Sequence, residues 1–371
     1  MTRLFLHIGS PKAGSSAIQA AFQAYDNAAQ SSACVQPLPG NPYGKTFPSG
    51  FVAARYLNAD ELPRYLRLQH QRDSSRFYND VEEYWCLIRD LVSPPARPHR
   101  WPWQVMPSEG RSRTVLLSSE YLWRIQVEQV RALRQDFESL GVTEFRVIAY
   151  VREPVSAYAS FLQQWLRLST DLERYNPFSW HYRPRLHLEA WDSVFGDALI
   201  VRPFVRDQLQ GQSVVHDCFA QLSSWLDCKV SAVDVGGINS GLSVEELFLI
   251  HDLLQDLPAD RLLRDPQLVS RLARFRRSLS NAAQRLECQP VRLQSWVTSL
   301  VWRRHQDDLE WLQQRYGIAF PPPDDLSVEA AFPDGQMTGF RLDQLLCPPE
   351  DPGRRQALLR QQLIGIISDG L

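Results

Sequence analysis

Residues 1–16 constrain the chain more than any other stretch. Leu4, Phe5, Leu6 and Ile8 form a short apolar run, and Gly9, Pro11 and Gly14 break it within a few positions. The run reads as a buried strand ending in a tight loop. From Ser16 onward Ile18, Ala21, Phe22 and Tyr25 recur at helical spacing, with Ser15 or Ser16 placed to cap. Strand, glycine-bounded loop and helix in that order aim loop N–H groups and the positive end of a helix at one point, which is the geometry of a phosphate cradle. Lys12 adds a full charge there. Gly9 and Gly14 have the separation of the P-loop pattern G-x-x-x-x-G-K-[ST], but the lysine stands two positions before the second glycine instead of after it. That displacement speaks against an ordinary nucleoside triphosphatase. A strand-turn-helix with an incidental lysine is the plainer alternative.

The lysine gains meaning from composition, because only Lys12, Lys45 and Lys229 of the 40 basic residues are lysines. In a chain so biased to arginine, a position needing positive charge alone would carry arginine, so Lys12 is read as a compact ammonium. A net charge of -2 gives the chain as a whole no polyanion-binding character. Its 371 residues, 44% hydrophobic, can bury a large core as one elaborated domain or two. Six scattered cysteines, without C-x-x-C or histidines at ligand spacing, read as free thiols of a reducing compartment and predict no metal site. No apolar run approaches the ~20 residues of a membrane span, and no leader precedes the first strand, so a cytoplasmic location without a transmembrane segment is expected.

Strand and helix patterns then alternate. Residues 36–50 are rich in Pro and Gly and read as loop, helical patterns cover 59–68 and 77–91, and 94–107 is irregular. Residues 30–112 read as an insertion between the first and second strands, which serves acceptor recognition or is surface padding. Strands are expected at 114–117, 145–151 and 198–204. Helices are expected from Leu122 to Leu140, from Pro154 onward and through about Leu226. Strands alternating with helices mean α/β architecture with a parallel sheet, whose ligands gather at the carboxyl ends of the strands. The loop, Glu120 and Arg152 all fall at such ends. Beyond Leu242 the pattern is helical, at 244–257, 266–286, 290–316 and 354–368. The predicted division is an α/β domain over 1–240 and a helical extension over 241–371 packed on it. Arg261, Arg264, Arg271, Arg274, Arg276 and Arg277 read as a solvated helix face rather than an anion site.

Arg152 and Ser160, eight residues apart across a strand end and the following helix, can aim a guanidinium and a hydroxyl at one phosphate, with Ser156 on the same helix face. With Pro11-Lys12-Ala13-Gly14-Ser15-Ser16 in the loop, the chain here resembles the sulfotransferases that use 3′-phosphoadenosine 5′-phosphosulfate. Their first motif is P-K-x-G-[ST]-[ST] after the first strand, and their second is an arginine with a serine eight residues on. Bacterial members also look like this chain around Ser118-Ser119-Glu120, 191–204 and Asn239-Ser240, so the resemblance covers about residues 1–245. It implies a P-loop-like three-layer sandwich with a central parallel sheet, carrying a mainly helical C-terminal extension. It also implies transfer of a sulfuryl group to an acceptor hydroxyl, of a carbohydrate or glycoconjugate, with the phosphosulfate as co-substrate and no metal.

By the same resemblance Lys12, Ala13, Gly14, Ser15 and Ser16 would hold the 5′-phosphosulfate, and Arg152 and Ser160 the 3′-phosphate. Lys12 would meet the charge that builds on the leaving phosphate. Glu120 is the first choice of base, against the plainer reading that it sits in the first turn of a helix. His7 is the second, against a hydrogen-bonded core histidine. His181 and His187 suit acceptor contacts, and Trp180, Tyr182 and Trp191 stack on a sugar or belong to the core. The competing functions are a P-loop-type phosphotransferase and a non-catalytic module that binds a nucleotide or anionic glycan; no nucleic-acid partner is expected.

Overall fold

The short apolar runs become the strands of one parallel sheet. A computed structural model describes residues 1–25, 34–37, 49–93, 113–233, 241–257, 266–327 and 337–369. In it β1 (Thr2–His7), β2 (Cys34–Pro37), β3 (Arg113–Ser118), β4 (Val142–Val151) and β5 (Leu199–Pro203) lie in the order β2-β3-β1-β4-β5, and every pairing is parallel. Residues 4–6, 115–117 and 147–151 are buried on both faces of the sheet, so their sequences are continuous apolar runs rather than alternating ones.

The helices are α1 (Ser15–Ala24), α2 (Ser49–Ala54), α3 (Arg64–Arg72), α4 (Ser74–Val92), α5 (Val127–Ser139), α6 (Pro154–Leu166), α7 (Pro184–Phe195), α8 (Val214–Leu226) and α9 (Val244–Gln255). Further helices cover Pro266–Arg285, Ser295–Arg304, Gln306–Tyr316, Leu342–Leu345 and Pro352–Asp369. The chain groups into two units. The first holds residues 1–152, 183–238 and 311–318, and the second holds 153–182, 239–310 and 319–371.

In the first unit strand register puts Phe5, His7, Leu116, Ser118, Ile148 and Tyr150 on one face of the sheet. Apolar residues of α1 and α8 cover it: Ile18, Phe22, Val215, Phe219 and Leu222 join Phe5, Leu116, Ile148 and Tyr150 in one cluster. On the other face Phe145 meets Phe195 of α7 with ring centroids 5.5 Å apart, and both α5 and α7 pack on β4. The segment after β2 is anchored rather than loose. Tyr56 and Trp85 pack edge to face, Trp85 meets Phe137 of α5, and Asp136 accepts hydrogen bonds from Arg55 and Tyr56, both at 3.0 Å.

The second unit has its own core, in which Tyr158, Leu162 and Leu166 of α6 pack with Leu247 and Ile250 of α9, Val297, Val301, Leu345 and Leu358. Residues 94–107, Asn239, Ser240, Arg261 and Arg264 lie outside the described residues.

Three local expectations are corrected. The stretch read as loop from residue 36 begins inside β2, whose pairing with β3 supplies ladder hydrogen bonds that outweigh the turn residues after it. The helix expected over 122–140 splits into a 3-10 turn, Glu120–Arg124, and α5, because Ile125 is extended between them at φ -68, ψ 145. The helix expected over 290–316 begins at Ser295 and is interrupted at His305. There Nδ1 lies 2.7 Å from the Val301 carbonyl and Nε2 accepts the Tyr182 N–H at 3.0 Å, so a buried imidazole fixes the break.

Candidate functional site

The loop leaves the sheet where β1 is hydrogen-bonded on both sides. Ile8 donates its N–H to Ile148, and Ser119 donates to His7. At Gly9 the backbone is crowded, since a Cβ would fall 2.3 Å from Ser15 Oγ and 2.7 Å from His7 Cε1. Gly14 has φ +84, and a Cβ there would fall 2.7 Å from Val214 Cγ1 and 3.0 Å from the Phe204 ring. Both glycines are therefore required by the fold. Lys12 holds φ +68 although it is not a glycine, a conformation that costs free energy and persists because the surrounding loop enforces it.

The cap expected from Ser15 or Ser16 is supplied otherwise. Gly14 is the N-cap of α1, without a side-chain cap and with no acidic residue in the first turn. Ser15 and Ser16 are the first helical residues, and Ser15 Oγ turns back toward the Ser10 carbonyl at 3.5 Å. The positive end of α1 thus faces the loop with no carboxylate in its own first turn.

Arg152 follows the end of β4 and reaches the loop. Its Nη1 donates to the Lys12 carbonyl oxygen at 3.0 Å, and its guanidinium lies 5.6 Å over the Phe204 ring. Two of the residues singled out from sequence, far apart along the chain, are brought together here. The strand order makes this the crevice at which the connections from β1 and β4 run to opposite sides of the sheet, where α/β proteins collect ligands.

Glu120 begins the turn after β3. Burial raises its carboxyl above the ordinary value, against the opposing effects of the Lys12 ammonium, a hydrogen bond with Tyr121 and the Arg124 guanidinium. A carboxyl that is slow to ionise yet sits in the field of the loop lysine can act as a base. His7 is fully buried. Its Nδ1 lies 2.7 Å from Ser118 Oγ, its Nε2 makes no hydrogen bond among the described residues, and burial holds it down to about 3, neutral at physiological pH.

Ser160 lies in α6, half-buried, in the second unit, and Ser156 is exposed on the same helix. Glu153 caps that helix itself, its carboxylate accepting the N–H groups of Val155 and Ser156 at 2.6 and 2.7 Å. The aromatic residues divide. Trp191 is fully buried and stacks on Phe195, while Tyr182 is buried and stacks on Trp180, which is the core alternative for all three. His181 is exposed, with Nε2 2.7 Å from Arg304 Nη2. His187 is half-buried beside Trp123, ring centroids 5.6 Å apart.

A charged network escaped the sequence reading. Asp217 of α8, fully buried, accepts from Tyr150 Oη at 2.8 Å, from Arg202 Nε and Nη2 at 3.1 and 2.7 Å, and from the Gln210 N–H. The signal was Arg202 itself, since an arginine within an apolar strand needs a partner. It ties β4 and β5 to α8, which packs against Gly14.

Among the described residues no group of three His, Cys, Asp or Glu side chains is placed to hold a metal ion, and no helix is long and apolar enough to cross a membrane. No protein-family model, curated protein or solved structure matches the chain.

Proposed function

We propose that this chain is a sulfotransferase that moves the sulfuryl group of 3′-phosphoadenosine 5′-phosphosulfate to a hydroxyl of a carbohydrate or glycoconjugate. Its α/β unit is read as a P-loop-like three-layer sandwich. One observation carries the reading: Arg152 donates to the carbonyl of Lys12, which joins the two motifs at the ends of β1 and β4. A loop built only as a turn has no use for a lysine in left-handed backbone with an arginine fastened to it.

In this reading the loop N–H groups from Ala13 to Ser16 and the Ser15 and Ser16 hydroxyls hold the phosphosulfate at the uncapped start of α1. Arg152 holds the 3′-phosphate, the group that separates this donor from ATP. Glu120 takes the acceptor's proton as the acceptor oxygen bonds to sulfur. The bond between sulfur and the 5′-phosphate oxygen breaks, and Lys12 meets the negative charge that the departing 3′,5′-bisphosphate acquires. His7, buried and neutral with Nδ1 beside Ser118 Oγ, stays the second choice of base.

The test is incubation of the purified chain with sulfur-labelled donor and a panel of glycans. Label should pass to a glycan, and Lys12→Ala should lower that rate by about 10²–10³-fold with an unchanged circular dichroism spectrum. Equal turnover in the variant, or transfer of phosphate from ATP with magnesium instead, would overturn the assignment.

A further inference from the structure

Beside Glu120 the first unit presents two cations outside any salt bridge among the described residues. Arg124 ends the 3-10 turn that Glu120 begins, and Arg183 stands immediately before Pro184 at the start of α7. Both are exposed. Among the described residues neither guanidinium makes a hydrogen bond or a salt bridge, whereas Arg185 is paired with Glu189 at 2.8 Å one helical turn along. Arg183 holds φ 53, ψ 51 without being a glycine, and α7 has no acidic residue in its first turn. That strained backbone sets the root of its side chain at an uncapped helix start.

His187 marks the common ground of the two. Its ring lies against Trp123, the residue before Arg124. Burial first, then the charges of Arg124 and Arg183, hold its imidazole down to about 4, so it stays neutral between them. Arg124 acts on the Glu120 carboxyl as well, as does Lys12. The candidate base thus lies in the field of Arg124, which shares the surroundings of His187 with Arg183. Desolvating two guanidiniums against a neutral acceptor costs free energy, whereas an anion offers both of them charge-assisted hydrogen bonds.

We propose that Arg124, Arg183 and His187 form a subsite for the anionic group, a carboxylate or a sulfate ester, of an acidic carbohydrate acceptor, placing a neighbouring hydroxyl at Glu120. The fate of that hydroxyl rests on the sulfotransferase reading, but the binding does not.

Calorimetry without donor tests it, using a glucuronate-containing oligosaccharide, its carboxyl-reduced form, and the reduced form carrying one sulfate ester. The acidic oligosaccharide should bind at least about tenfold more tightly than the reduced one. Restored binding by the sulfate ester assigns the subsite to anions generally, and its failure assigns it to carboxylates. The double variant Arg124→Gln/Arg183→Gln should lose the preference, and Arg185→Gln should keep it. Equal affinity for the acidic and reduced forms, no binding of either, or an unaltered double variant overturns the proposal. A parallel titration of each protein with 3′,5′-adenosine bisphosphate separates the two readings. Acid-dependent binding with no bisphosphate binding removes the sulfotransferase reading and leaves the subsite, and the reverse removes the subsite alone.

Discussion

Lys12 carries a cost that its own chemistry does not require. At φ +68 its backbone lies where a side chain is disfavoured by roughly 1–2 kcal/mol, and glycine would adopt that conformation freely. Lys12→Gly should therefore raise stability to urea by about 1 kcal/mol while abolishing sulfuryl transfer; a destabilised variant would mean that the ammonium is needed for folding instead. Glu120 makes a related case. Burial raises its carboxyl above the ordinary carboxylate value, so the folded state resists its ionisation. This penalty is absent below the unfolded value and sets in as pH rises through that value toward the folded one. Glu120→Gln removes it, and should be more stable than the parent at neutral pH, with the difference closing as pH falls toward the unfolded value, while turnover drops about 10²-fold or more. Thermal melts across pH read the first effect and labelled transfer the second. Lys12 and Glu120 were legible because each signal is local: a loop between glycines, and an acid at the end of an apolar run. Arg124 and Arg183 were not, because their significance lies in the absence of partners, which no spacing encodes.

The loop works as part of an element, strand β1 through helix α1, and that element is clamped by α8. Gly14 caps α1 in a left-handed conformation with Val214 and Phe204 against it. Gly14→Ala combines backbone strain with an overpacked contact and should cost about 2–3 kcal/mol, measured by urea unfolding; a loss below half of that would show that α8 yields easily. The strands were legible as elements because burial on both faces makes their apolar runs continuous, and the helices because their buried positions recur at 3.6-residue spacing. β2 was not, since Cys34–Pro37 is short and its place is decided by pairing with β3, distant in sequence. The break at His305 was equally hidden. Its cause is a hydrogen bond to Tyr182, 123 residues away, while the local pattern runs on as helix.

At the scale of the whole molecule, the parallel sheet brings the ends of β1, β3 and β4 to one edge, and with them Lys12, Glu120 and Arg152. Segments far apart in the chain converge there because parallel strands put their carboxyl ends on the same side. That convergence was inferable once the strands alternated with helices. The grouping of residues 153–182 with the C-terminal helices was not, since the α6 sequence continues from β4 with no change in composition. The central claim is that this edge recognises a nucleotide with a 3′-phosphate, through an arginine fastened to the loop lysine. Calorimetric titration with 3′,5′-adenosine bisphosphate and with 5′-AMP tests it most directly. The bisphosphate should bind at least roughly tenfold more tightly, with the preference lost in Arg152→Gln. Equal affinities, or no binding of either nucleotide, would contradict it.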